Sequence, residues 1–173
     1  MKQSGAFTLL ELLTVIVVIA ILATLLIPVI STLRARSQRI QCTANLRSLY
    51  TSAELFLQQN GSWPQIARTN SDTGAEDYAQ AWVAALAPLG VGAKSWICPT
   101  IQDLLQNPNY LDPAEARIDY IPMPFDGNPT TPHEWPRAPW FVEKGDVHGN
   151  GNLIIFTDGS ISDLNTIAPK PSP

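Results

Sequence analysis

Apolar and polar residues follow three regimes along this chain. Residues 9–33 are almost wholly apolar, interrupted mainly by Glu11, Thr14, Thr24, Ser31 and Thr32. A run without periodicity predicts a helix that is apolar on every side, and its length says what could cover it. A bilayer core takes about 20 apolar helical residues, and Leu12 to Leu33 supplies them. The second regime is periodic. Ile40, Ala44, Leu46, Leu49, Tyr50, Ala53, Phe56 and Leu57 recur mostly at three- and four-residue steps, with Arg47, Glu54, Gln58 and Gln59 between them. That spacing predicts an amphipathic continuation of the same helix. Gly61 offers a left-handed cap and Pro64 cannot continue the helix, so it ends there. Pro28 lacks an amide hydrogen and clashes with the preceding turn, which predicts a bend rather than an end.

The third regime is made of short pieces. Glu76 to Leu86, with Tyr78, Trp82, Val83 and Leu86, predicts a short amphipathic helix closed by Pro88 and Gly90. Nine prolines between Pro99 and Pro139 predict an irregular, loop-rich stretch. Its aromatics (Tyr110, Tyr120, Phe125, Trp135, Trp140 and Phe141) are too many for a solvated tail, so most of it is expected to pack. Leu153-Ile154-Ile155-Phe156-Thr157 predicts a strand. Asp158-Gly159 is then a two-residue turn of type I′, with positive φ at both residues, and 160–164 returns with alternating polarity. The expected fold class is α+β: a long N-terminal α-helix, its first half membrane-spanning and its second amphipathic, packed on a small antiparallel sheet with a C-terminal β-hairpin. About 110 residues remain beyond the helix, enough for one small core.

Glu11 is the residue that hydrophobicity does not explain. An ionisable group inside a membrane segment costs on the order of a few kcal/mol unless it is paired, so it is a functional candidate by default. Cutting the chain before Phe7 would create a partner, because the new α-amino group lies about one helical turn from Glu11. An ordinary signal peptide has an apolar core of about 7 to 15 residues and an Ala-x-Ala-like exit; here Arg34, Arg36 and Arg39 follow the run. A plain single-span anchor fits the length but gives Glu11 no reason.

Gly5-Ala6-Phe7-Thr8-Leu9-Leu10-Glu11 resembles the processing site of the type IV pilins and type II secretion pseudopilins. The resemblance implies a leader of residues 1–6, cleavage between Ala6 and Phe7 by prepilin peptidase, and N-methylation of Phe7. It implies that Glu11, at mature position +5, neutralises the amine of a neighbouring subunit during assembly, and that Pro28, at +22, is the helix-kinking proline. Ala6 stands where the family prefers Gly. Cutting after Gly5 instead would move Glu11 and Pro28 out of register together. The implied organisation is leader 1–6, transmembrane half 7–33, amphipathic half 34–62 and a globular head 63–173. The head is expected outside the inner membrane, periplasmic or extracellular, with the N-terminus cytoplasmic. Charge bias alone points the other way, since Lys2 precedes the run and three Arg follow it.

The formal charge is −4 and unevenly spread. Arg34, Arg36, Arg39 and Arg47 lie just past the apolar run, where they suit anionic headgroups. From Trp63 onward, thirteen acidic residues face six basic ones. An acidic head is a poor nucleic-acid surface, because phosphate contacts need clustered Lys or Arg. No nucleic-acid partner is expected.

His148 precedes Asp158-Gly159 with nine residues between, on a strand–turn–strand spanning 148–164. This resembles a narrower group of prepilin-like proteins with an H-x9-DG processing-associated domain. Cys42-x-x-Asn45-Leu46, Asn60-Gly61-x-Trp63-Pro64 and Cys98-Pro99 fit that group as well. Ser160 stands where the group commonly has His. A His–Asp pair can serve as base and orienter, but no nucleophile accompanies it. The expectation is therefore structural: no catalytic residues, with Asp158 making the turn and His148 hydrogen-bonding across it. His133 has no partner pattern and is expected in a loop. Asp146, Asn150, Asn152, Asp158 and Asp163 offer oxygen ligands of the kind Ca²⁺ takes, as some pseudopilin heads do, though in no defined loop spacing. A Zn²⁺ site is excluded on the sequence, for lack of enough ligands at known spacings. Two cysteines in an exported head, Cys42 and Cys98, invite a disulfide worth about 4 kcal/mol in the chain-entropy estimate; two separate buried thiols are the alternative.

The reading is a pseudopilin-like structural subunit of a type II secretion or type IV pilus-like assembly. Its partners are prepilin peptidase, other pilin-like subunits and membrane lipid, and its work is assembly rather than catalysis. The alternative is a membrane-tethered periplasmic or surface binding or sensor domain that uses the prepilin pathway only for export.

Overall fold

A computed structural model describes residues 9–67, 74–106, 116–126, 128, 131–135 and 137–168. Its elements in order are α1 (Leu9–Asn60), α2 (Gly74–Leu86), two 3₁₀ turns (Ala87–Leu89 and Ala93–Trp96), α3 (Pro99–Leu105), β1 (Tyr120–Pro122), α4 (Thr131–Glu134), β2 (Pro139–Glu143), β3 (Leu153–Phe156), β4 (Ile161–Asp163) and α5 (Leu164–Ile167). The fold is α+β, as expected. Contacts divide the chain into two compact units, residues 1–37 and 38–173.

In the first unit α1 runs through position 28 as one helix, and its apolar side chains from Leu9 to Leu33, wherever described, are exposed. Among the described residues, one helix is long and apolar enough to cross a membrane. In the second unit, Cys42, Leu46, Leu49, Ala53 and Leu57 form the buried stripe of α1. The steps of four, three, four and four hold one face. Ile40 and Ala44 do not belong to it. Ile40 is 70% exposed, because the face turned inward at this level is that of Cys42 and Asn45. The helix stops where the sequence indicated, with Gly61 at φ +65° and its amide donating to Leu57 O. Trp63 follows directly and enters the core, its ring 5.4 to 5.5 Å from those of Trp82, Trp140 and Phe125.

The sheet is an antiparallel meander in the order β1-β2-β3-β4. Tyr120 pairs with Glu143, Val142 with Ile154, and Ile154 with Ser162. A bulge between Pro139 and Phe141 inserts Trp140 into β2, so Trp140 and Phe141 are both fully buried despite being neighbours. Tyr120, Phe141, Leu153 and Ile155 join the α1 stripe in one core. The proline-rich stretch packs in part, through Tyr120, Phe125, Trp140 and Phe141. Trp135 does not, at 66% exposed, and Tyr110 lies outside the described residues.

The C-terminal hairpin forms at the expected place but with a different turn. Phe156 N–H donates to Ser160 O and Gly159 N–H to Phe156 O, leaving a three-residue loop, Thr157-Asp158-Gly159. Only Gly159 has positive φ (+76°). Asp158 instead accepts the Ser160 amide on its own Oδ1 at 2.8 Å, a local bond that holds it out of the left-handed region. The arrangement is a tight turn closed by one left-handed glycine, the common three-residue hairpin.

Candidate functional site

Of the N-terminal residues, Ala6 and Phe7 lie outside the described residues. Glu11 is exposed near the start of α1, and its carbonyl accepts the Thr14 hydroxyl at 2.9 Å.

In the head, residues far apart in sequence converge on one buried point. Cys42 comes from the inward stripe of α1. Cys98 ends the segment before α3, held by its backbone N–H donating to Asp119 Oδ2 at 2.9 Å. Asp119 is fixed in turn by the Arg117 guanidinium at 3.2 Å. Asn45, one turn along from Cys42, donates to Ile97 O at 2.9 Å and clamps the Cys98 segment to α1. The two sulfurs stand 2.8 Å apart, with no bond joining them in this structure.

Glu143 is the unexpected member. Pairing in register with Tyr120, and two residues from Phe141, it lies on the core face of the sheet and is 1% exposed. Its Oε1 is 3.3 Å from His148 Nε2, while its Oε2 is buried with no hydrogen-bond partner among the described residues. His148 reaches back from the β2–β3 loop, where Gly145, Gly149 and Gly151 all take positive φ. At Gly151 a Cβ would meet the Asn165 backbone nitrogen at 2.8 Å, so the tight loop requires glycine there. His148 Nε2 also stands 4.0 Å from Cys98 Sγ. One ligand-type atom from each of Cys42, Cys98, Glu143 and His148 lies within 4.8 Å of all the others.

The electrostatics follow from this packing. Hydrogen bonding to Cys98 and Glu143 pushes His148 up to about 9, against the opposing effect of burial. The Cys42 contact and burial push the Cys98 thiol well up, opposed in part by His148 and the Ile101 amide. Burial, then Cys42, raise the Tyr120 phenol.

His148 therefore does not hydrogen-bond across the hairpin to Asp158; its partners are Glu143 and Cys98. His133 is in α4 rather than a loop, 3.5 Å from Glu54 and edge-on to Trp140. The oxygen donors considered for Ca²⁺ each have other partners. Asp146 accepts the Gly149 amide, Asn150 donates to Thr166, and Asn152 donates to Glu143 O. Asp158 lies beyond the other end of β3, on the order of 10 Å or more away at strand rise. Asp163 is engaged by Arg39 at 2.6 Å.

Sequence spacing reveals neither Glu143 nor the four-residue group, because its members come from α1, the segment before α3, β2 and the following loop. One signal was available. In Trp140-Phe141-Val142-Glu143, strand alternation puts Glu143 on the same face as Phe141, which marks a carboxylate aimed inward.

Residues 1–27 match the family described as the prokaryotic N-terminal methylation motif. No curated protein and no solved structure matches the chain. The motif supports a prepilin-like protein processed by prepilin peptidase, and with the apolar helix it fits a membrane-anchored, single-pass chain.

Proposed function

We propose that this chain is a pseudopilin-like structural subunit of a type II secretion or type IV pilus-like assembly. Prepilin peptidase cuts the Ala6–Phe7 bond and methylates the new amine of Phe7. The subunit sits in the inner membrane with its start cytoplasmic and its head periplasmic or extracellular. Assembly runs through the N-terminal helix, where Glu11 meets the Phe7 amine of a neighbouring subunit. The observation that carries this reading is the methylation motif over residues 1–27, joined to a helix whose apolar side chains are exposed.

The physical logic is a charge match made only on assembly. A carboxylate in the apolar segment and a nearby amine each cost on the order of a few kcal/mol when alone in lipid, so subunits are favoured in the register that brings the two together. Pro28 gives neighbouring helices freedom to bend past one another. The H-x9-DG signature, His148 with Asp158 and Gly159, suits the narrower prepilin-like group that carries it. The work of the chain is assembly rather than catalysis.

Mass spectrometry of the mature N-terminus should find a chain beginning with methylated Phe7. A chain beginning at Ala6, or an uncut Met1, removes the register. Glu11→Leu should abolish co-assembly with wild-type subunits, read by cross-linking, while membrane insertion persists. Unchanged assembly of that variant would favour a tethered binding or sensor domain that uses the pathway for export.

A further inference from the structure

We propose that Cys42, Cys98, Glu143 and His148 together ligate one divalent cation of the zinc class, stapling four separate segments of the head. The inference rests on the head's geometry alone and is independent of the function proposed for the N-terminal segment.

The donor set selects the ion. Two sulfurs, one imidazole nitrogen and one carboxylate oxygen suit a borderline-soft, tetrahedral cation, whereas Ca²⁺ takes six to eight oxygens. The distances are near those of such a site. With arms of about 2.0 to 2.3 Å, a tetrahedral centre sets an N···O edge of roughly 3.4 Å and an S···N edge of roughly 3.6 Å. His148 Nε2 stands 3.3 Å from Glu143 Oε1 and 4.0 Å from Cys98 Sγ. The sulfurs, at 2.8 Å, would move apart by roughly 1 Å on binding.

Glu143 discriminates a metal from a disulfide. A bridge would use the two sulfurs and leave the buried Glu143 carboxylate with only His148 as partner, Oε2 having none among the described residues. Buried charge in an apolar core requires a counter-charge and full hydrogen bonding. A cation adds a ligand bond for the carboxylate beyond its His148 contact, and accounts for all four side chains at once. The supporting shell is present: Asn152 holds the Glu143 carbonyl, and Asp119 holds the Cys98 amide. Binding displaces three protons to solvent, one from each thiol and one from the His148 imidazolium, which then coordinates as the neutral imidazole through Nε2. With four protein donors the site has no open position, so its role is structural.

The test uses the full chain in detergent, purified from membranes without chelator or thiol reagent and under nitrogen. Elemental analysis should find about one zinc per chain. After stripping, titration with Co²⁺ alone should produce thiolate-to-cobalt charge-transfer bands that saturate at one equivalent. Glu143→Gln should weaken cobalt binding by more than ~10-fold, since even outer-shell partners are worth about that much. His148→Ala and the double Cys→Ser variant should abolish it. The wild-type titration needs no variant to fold. A metal-free chain two hydrogens lighter than the dithiol, indicating a bridge, would overturn the proposal. So would a dithiol chain without cobalt bands, or a Glu143→Gln chain that binds cobalt as tightly as the wild type.

Discussion

Gly159 occupies the one position of the hairpin loop where the backbone turns left-handed. Its φ of +76° is strained for any L side chain, and a Cβ there would stand 3.4 Å from the Tyr50 ring. Gly159→Val should therefore destabilise the head by about 1–3 kcal/mol, the scale of a strained backbone residue, measured by denaturant unfolding. A change below a few tenths of a kcal/mol would mean that the loop relaxes freely. Asp158 does a different job from the one its place in an Asp-Gly pair suggests: it closes the loop from its side chain while keeping an ordinary φ. At Glu143, the same alternation that buries Phe141 also buries a carboxylate.

Between elements, the hairpin tip docks on α1 through Tyr50. The phenol is 3.2 Å from both Thr157 O and Glu54 Oε1, and its ring packs edge-on against Trp140 at 4.9 Å. Burial, then the Glu54 carboxylate and Asp158, hold the phenol above its ordinary value of about 10. The sign of the consequence is fixed by linkage. Above that value the unfolded chain has lost the phenolic proton while the folded chain keeps it, so unfolding releases a proton and stability falls as pH rises. Tyr50→Phe should flatten this alkaline decline while lowering stability near neutrality by about 1 kcal/mol, the worth of one hydrogen bond. Unfolding curves at pH 8 and above 10 make the comparison, and equal slopes for the two proteins would refute it.

In the whole molecule, the core draws on residues from Cys42 onward and the contact boundary falls at Ser37/Gln38. A fragment of residues 38–173 should therefore fold alone. Its tryptophan emission should report rings buried as in Trp63, Trp82, Trp96 and Trp140, and its unfolding should be a single transition. A fragment with solvent-like emission and no cooperative transition would show that the preceding helix is needed for the core to form. The first unit exposes apolar surface, and the second buries its own.

Local signals in the sequence determined the elements that local physics can specify. The long apolar run, the helical continuation after it, the Gly61 stop, the Pro88–Gly90 stop and the C-terminal hairpin each depend on neighbours within a few residues, and each forms where the pattern places it. The N-terminal motif is likewise a contiguous signal. Tertiary structure decided what depends on register across distant segments. It turned Cys42 and Asn45 inward in place of Ile40 and Ala44, and buried Trp140 beside Phe141 through a bulge. It carried His148 away from Asp158 and seated it against Glu143 and Cys98. Residues 42, 98, 143 and 148 share no spacing, because they meet only when α1 lies on the core face of the sheet; a site made by packing has no linear pattern to read.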